Sequence, residues 1–255
     1  MKVITINVCG IRASQKKGLF EWLKKVKADF ICMQETRALE EQISESNYFI
    51  DGYKRYMNVA EKKGYSGVAI YTKQEPLSIQ KSFSKSIFEK EGRFILTEFK
   101  DFDIVSIYFP SGSSSDKRQI LKYEFMDLFE RYVKRKIKSK REMIICGDYN
   151  IAHTKDDIKN WKANQKNSGF LPQERDWMTK LIDKIGMKDA FREKCKRPDV
   201  YTWWSNRGNA YKNNVGWRID YQMVTNKFSE KIKNVSVYNK TRYSDHAPLI
   251  ISYDV

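Results

Sequence analysis

The sequence predicts a layered α/β fold built on mixed β-sheets. Three observations carry that reading. Short apolar, β-branched or aromatic runs recur at 2–7, 29–34, 66–72, 93–99, 102–109, 142–147, 217–224, 234–238 and 248–253, the lengths and compositions of strands. Amphipathic segments with helical spacing lie between some of them. The runs 66–72, 93–99 and 102–109 follow one another with no helix between, which a purely parallel wound sheet does not allow. With 255 residues, 41% hydrophobic and 14% aromatic, the chain has ample material for a core and is no disordered tail.

Taken in order, Val3–Ile6 forms the heart of the first strand and runs into Asn7. Residues 18–27 place Leu19, Trp22, Leu23 and Val26 on one helical face. Phe30–Met33 leads into Gln34-Glu35-Thr36, and Ile104–Ile107 leads into Tyr108. Helix 116–138 is expected to start from Asp116 as N-cap and to repeat Leu121, Phe125, Leu128 and Tyr132. The basic run Lys134–Arg141 closes it and complements its C-terminal dipole. Met143–Cys146 runs into Gly147-Asp148-Tyr149-Asn150. Helix 172–185 has Pro172 in its first turn, a Trp177, Met178, Leu181, Ile182, Ile185 stripe, and Gly186 as its stop. Ser244-Asp245-His246 precedes the last strand. With no repeat, no linker and no low-complexity stretch beyond Ser111–Ser115, a single domain over 1–255 is expected.

Composition narrows the function classes. Lys+Arg number 48 against 32 Asp+Glu, a formal charge of +16, which suits a polyanionic partner. No stretch reaches the ~18 uncharged apolar residues of a membrane helix, and the N-terminal residues carry charge too early for a secretory signal. A cytoplasmic protein is expected. Cys9, Cys32, Cys146 and Cys195 show no CxxC spacing and read as reduced thiols. With only His153 and His246 to add, a zinc site is disfavoured.

The polar residues fall immediately after apolar strands, where α/β folds converge side chains over a rigid platform. Singly, each has a plainer reading: Glu35 or Asp148 as a loop cap, Asn7 as a turn residue, Tyr108 as a core aromatic, His246 as a structural histidine. Together they form a set of hard oxygen donors, one imidazole and one phenol in a basic chain. That set suits Mg²⁺, or Mn²⁺, and the hydrolysis of a phosphate ester. No GxxxxGK[ST] loop is present, so nucleoside-triphosphate chemistry is disfavoured.

Motifs spread over nearly the whole chain then point to a family: INVCGIRA from residue 6, ICMQETR at 31–37, GYSGVAIYT at 64–72, YFPSG at 108–112, GDYNIAH at 147–153, NSGFLPQER at 167–175, NVGWRIDYQ at 214–222 and SDHAPL at 244–249. The sequence resembles the exonuclease III family of apurinic/apyrimidinic (AP) endonucleases, within the endonuclease/exonuclease/phosphatase superfamily. The resemblance implies a four-layer α/β/β/α sandwich and a monomeric, Mg²⁺-dependent enzyme. Its substrate would be duplex DNA with abasic sites or 3′ blocking groups, cut 5′ to the abasic site to leave a 3′-hydroxyl, with 3′-end trimming or 3′→5′ exonuclease activity besides. It implies Glu35 as principal metal ligand, with Asn7 and Asp245 holding or orienting the ion. Asp148, held by Asn150, activates or positions water; Asp220 orients His246; Tyr108 bonds the scissile phosphate. A second ion would use Asp148, Asn150 and His246. Arg12, Tyr65, Ser111, Asn164, Asn167, Trp203 and Trp217 fall at DNA-contact or sugar-pocket positions.

Two departures stand out. Cys9 occupies a position where relatives often have a carboxylate or amide, and Ser111 one where many have Asn. The loop Gly112–Ser115 lacks a side chain able to wedge into a duplex, so Arg207 or Tyr211 is expected in that role. A nonspecific deoxyribonuclease, a phosphatase of inositol lipids or sphingomyelin, and a non-catalytic DNA-binding module are the alternatives.

Overall fold

The computed structural model describes residues Met1–Val255. Its strands in chain order are β1 (Lys2–Asn7), β2 (Phe30–Gln34), β3 (Lys54–Asn58), β4 (Val68–Thr72), β5 (Ser78–Gln80), β6 (Phe94–Glu98), β7 (Phe102–Tyr108) and β8 (Glu142–Asp148). They continue with β9 (Lys188–Asp189), β10 (Trp203–Trp204), β11 (Gly216–Trp217), β12 (Asp220–Val224), β13 (Ile232–Val237) and β14 (Leu249–Tyr253). The helices are α1 (Ile11–Lys16), α2 (Leu19–Val26), α3 (Asp116–Lys138), α4 (Trp161–Asn164), α5 (Pro172–Asp183), α6 (Ala190–Lys194) and α7 (Asn226–Ser229).

The strands form two six-stranded sheets, ordered β13-β14-β1-β2-β4-β3 and β5-β6-β7-β8-β12-β9. Both are mixed: β1 runs parallel to β2 and antiparallel to β14, while β7 runs parallel to β8 and antiparallel to β6. The inner faces meet over Val3, Cys32, Ile70, Ile104, Cys146, Leu249 and Ile251, all fully buried. On the outer face of the first sheet, Ile11, Leu19, Phe20 and Leu23 of α1 and α2 pack on Ile4, Ile31 and Ala69. On the outer face of the second, Phe125, Phe129, Met178 and Leu181 of α3 and α5 pack on Val105, Ile145 and Met223. Each large apolar side chain buried this way stabilises the fold by roughly 1.5–3 kcal/mol. The four layers expected from the resemblance are present.

The differences from the sequence reading are local. Ser115, not Asp116, caps α3: its Oγ accepts from the Arg118 N–H at 3.3 Å. Leu121 and Leu128 are only partly buried, because the buried face runs through Lys122, Phe125, Met126, Phe129 and Val133. The run 217–224 is divided. Gly216–Trp217 pairs with Trp203–Trp204, and Asp220 starts a separate strand beside β8. The edge strands β3, β5 and β9 lack an apolar signature and were not expected. All four cysteines are free, and no helix is long and apolar enough to cross a membrane.

Candidate active site

Strand register gathers the site. Across the second sheet Tyr108 pairs with Asp148, and Asp148 pairs with Asp220, so three polar side chains stand in one row at one rim. In the first sheet Asn7 and Gln34 pair at the corresponding strand ends, with Glu35 following. Non-glycine residues in the left-handed region cluster here: Cys9 (φ 44°), Glu35 (φ 51°), Arg37 (φ 49°) and Asn150 (φ 51°). Such conformations cost on the order of 1 kcal/mol or more each and persist where surrounding bonds impose them. For Asn150 those bonds are explicit. Its N–H donates to Asp148 Oδ1 at 2.8 Å, its Nδ2 donates to the Phe109 carbonyl at 3.0 Å, and its own carbonyl accepts from Lys122 Nζ at 2.8 Å. Lys122 is fully buried and paired at 2.5 Å with equally buried Glu174, whose other oxygen accepts from the Gly169 and Leu171 N–H groups. The Lys122–Glu174 pair thus ties the Asp148 turn to the loop opposite.

Asn7 lies at the centre, fully buried. Its Nδ2 donates to Glu35 Oε1 at 2.7 Å and to Asp148 Oδ2 at 2.8 Å, and its Oδ1 accepts from the Cys9 N–H at 2.9 Å. A reversed amide would set its oxygen against two carboxylates. Asn7 thus orients both carboxylates through Nδ2. Asn150 likewise holds Asp148 through its backbone N–H, with its side-chain N–H committed to Phe109.

Glu35, Asp148 and His246 bring ligand atoms within 4.8 Å of one another, a group able to hold a metal ion. Asp245 stands outside it. Its oxygens accept from Trp203 Nε1 at 3.2 Å and Ser244 Oγ at 3.1 Å. Buried carboxylates brought this close to one another repel unless a cation or proton intervenes, so the donor set fits a hard divalent ion.

The electrostatics follow from burial and neighbours. Burial, with Asp220 and Glu35 nearby, raises Asp148 to about 7 despite the opposing pull of His246. Burial opposes a charged His246, but Asp220, Asp148 and Asp245 outweigh it and push the imidazole up to about 10. His246 Nδ1 meets Asp220 Oδ2 at 2.9 Å, leaving Nε2 facing Asp148 Oδ2 at 3.9 Å. Burial and Glu35 hold the Tyr108 phenol well above its usual value, so it stays a donor. Arg93, itself buried, lies 4.7 Å beneath the Tyr108 ring and donates to its carbonyl.

The site opens into a cleft of about 860 Å³. Ser111, Asn167, Trp203 and Trp217 of the expected DNA-contact set line it, and Arg207 does too. Trp203 and Trp217 are half-buried and meet edge to face at 6.1 Å. Gly169 (φ 94°) lets the chain pass under Trp217: a Cβ there would lie 2.9 Å from the indole. Tyr65 lines an adjoining pocket that shares Tyr108 and Ser111, its hydroxyl accepting from Arg93 and Arg118. Arg12, exposed on α1, and Asn164, bonded to Asn167, line neither. Tyr211 lines a separate pocket, where it packs on Trp204 and donates to the Asn239 carbonyl at 2.5 Å. Sequence reasoning missed Arg37, Arg93, Lys122 and Glu174. Arg37 and Glu174 fell inside the motifs ICMQETR and NSGFLPQER without being given a role, Lys122 is a charge on the buried face of α3, and Arg93 gave no signal.

Two packed mixed sheets, with carboxylates, an imidazole and a phenol converging at one rim of a cleft, define a phosphoester-hydrolase class of site. The chain belongs to the endonuclease/exonuclease/phosphatase family, whose sequence profile matches residues 4–246. It is 37% identical to an exodeoxyribonuclease of Bacillus subtilis (strain 168), over 98% of each chain. It is 36% identical to the DNA repair nuclease APEX1 of Danio rerio, over 98% of this chain and 81% of that one. Among solved structures it superposes on an AP endonuclease from Archaeoglobus fulgidus with a TM-score of 0.91 at 26% identity, over 100% of both chains.

Proposed function

We propose that this chain is a DNA repair nuclease that hydrolyses the phosphodiester 5′ to an abasic site in duplex DNA, leaving a 3′-hydroxyl, and that it also trims blocked or ordinary 3′ ends. The observation that carries the reading is the Tyr108–Asp148–Asp220 row, with His246, set against Glu35 at the base of a cleft walled by two half-exposed tryptophans. Mg²⁺, with Mn²⁺ able to substitute, is the ion this donor set favours, and Glu35 is its principal ligand. When bound, such an ion neutralises phosphoryl charge and stabilises the leaving alkoxide.

The chain's own residues divide the remaining work. The carboxylates around it, Asp220 first, favour a protonated His246, which donates from Nε2 to a phosphoryl oxygen. Asp148, near 7, can both exist as carboxylate and accept the proton of the attacking water. Asp220 fixes the imidazole through Nδ1, Tyr108 donates its phenol hydrogen to the same phosphate, and Asn7 holds the Glu35 and Asp148 carboxylates in place. Trp203 and Trp217 wall a pocket for the bare sugar, since an abasic nucleotide leaves the helix for less than the few kcal/mol a stacked base requires. Residues 1–255 act as one catalytic domain and as a monomer, in the cytoplasm, where four unpaired thiols are compatible with a reducing environment.

One assay tests the reading. The protein with Mg²⁺ is incubated with a duplex carrying one tetrahydrofuran abasic analogue, beside an intact duplex and a soluble inositol phosphate. Incision 5′ to the analogue, leaving a 3′-hydroxyl, is expected. Hydrolysis of the inositol phosphate with both duplexes intact would overturn it.

A further inference from the structure

We propose that Arg37 is a tethered cation occupying the Oε2 face of Glu35, and that a divalent ion must displace it to bind. This rests on the reading of Glu35 as principal ligand. Both oxygens of Glu35 are engaged by donors: Oε1 by Asn7 Nδ2 at 2.7 Å, and Oε2 by Arg37 Nε at 2.9 Å and by the adjoining Arg37 Nη2.

The two donors differ in freedom to leave. Asn7 is fully buried, bonds Asp148 with the same nitrogen and anchors its oxygen on Cys9. The Arg37 side chain is 41% exposed, against 10% for Glu35. Its backbone is fixed, with its N–H on the Ser66 carbonyl at 2.8 Å and the preceding Thr36 N–H on the Gly67 carbonyl at 3.1 Å. Only the side chain is free to swing, and it can do so without disturbing the fold.

Chemistry explains the pairing. Cys9, beside Arg37 in the cleft, offers a neutral thiol where a carboxylate would have given the guanidinium its own partner. Glu35 is left as that partner. A divalent ion arriving at Oε2 breaks a charge-assisted bond and is then repelled by a neighbouring positive charge. The released guanidinium remains in the cleft with Tyr108 and Ser111, where a substrate phosphate gives it a planar, two-pronged partner. Arg37 thereby weakens ion binding to the free protein and favours it once DNA is seated.

The test is direct Mn²⁺ binding, read by loss of the free-ion electron paramagnetic resonance signal, with no DNA present. Wild type is compared with Arg37→Met, Arg37→Lys and Glu35→Gln. Arg37→Met should bind about tenfold more tightly, the factor for removing one positive charge from ~6 Å of a divalent ion at near-aqueous dielectric. Arg37→Lys, which keeps the charge, should stay near wild type, and Glu35→Gln should lose most of the binding. Arg37→Met no tighter than wild type, or Arg37→Lys as tight as Arg37→Met, would overturn the inference while leaving Glu35 as ligand. Glu35→Gln binding as wild type does, or no binding by wild type, would overturn the ligand reading and this inference with it. Thermal melts of each variant confirm that folded protein is being titrated.

Discussion

His246 Nδ1 and Asp220 Oδ2 lie 2.9 Å apart, with both side chains buried. The pair fixes which imidazole nitrogen faces the cleft and raises the proton affinity of the ring. Because Asp148 sits 3.9 Å from the other nitrogen, the two titrating groups of the site are set apart by their surroundings, one near 7 and one near 10.

A pH profile follows with a defined sign. The proposed base must be deprotonated and the proposed donor protonated. kcat/KM should therefore rise through about pH 7 as Asp148 loses its proton, and fall through about pH 10 as His246 loses its own. Asp220→Asn removes the charge that raises His246, so the falling limb should move to lower pH. Initial rates on an abasic duplex, taken from below the first of these values to above the second, check both limbs; a falling limb unmoved in the variant would detach Asp220 from this role.

Asp148→Ala should lower kcat by about 10²–10⁴, the range for losing a positioned acid–base group. Its melting temperature should hold or rise, because the carboxylate is buried beside Glu35 and Asp220 and its charge is disfavoured there. Turnover at the wild-type rate would make it a structural turn residue.

Trp217→Ala separates wall from core. The side chain is half-buried over Gly169 and against Trp203. Truncation should cost about 1–2 kcal/mol, less than the ~3–5 kcal/mol of a fully buried tryptophan, while abasic preference over intact duplex declines. The informative measurement is cleavage ratio and thermal unfolding on one sample. A large loss of stability with unchanged preference would place Trp217 in the core alone.

Binding to DNA should weaken steeply with salt, with log K falling at roughly −0.9 per neutralised phosphate. Arg207, in the cleft wall, should account for about one such contact, so Arg207→Ala should flatten the slope by about one. Fluorescence anisotropy across a salt series reads it, and an unchanged slope would take Arg207 off the phosphate path.

The strands that end at Asn7, Tyr108 and Asp148, and the one that ends just before Glu35, were legible because each is a buried apolar run stopped by a polar residue. Edge strands such as β5 were not, since Ser78–Gln80 is mostly exposed and carries no periodicity. The cap of α3 was misplaced by one residue because Ser115 and Asp116 are both good caps, and only backbone geometry chooses between them.

By itself, the sequence determined the layered architecture, the residue types of the site and their places at strand ends. These depend on local periodicity and composition, which survive without any knowledge of neighbours. Only the tertiary structure decided which atoms face which. It turned the Asn7 nitrogen, not its oxygen, toward the carboxylates; it committed the Asp245 oxygens to Trp203 and Ser244; it gave Glu35 the guanidinium of Arg37 as a partner. Each of those outcomes is set by register between strands far apart in sequence and by competition among donors for a few acceptor oxygens. Neither is encoded in any single segment of the chain.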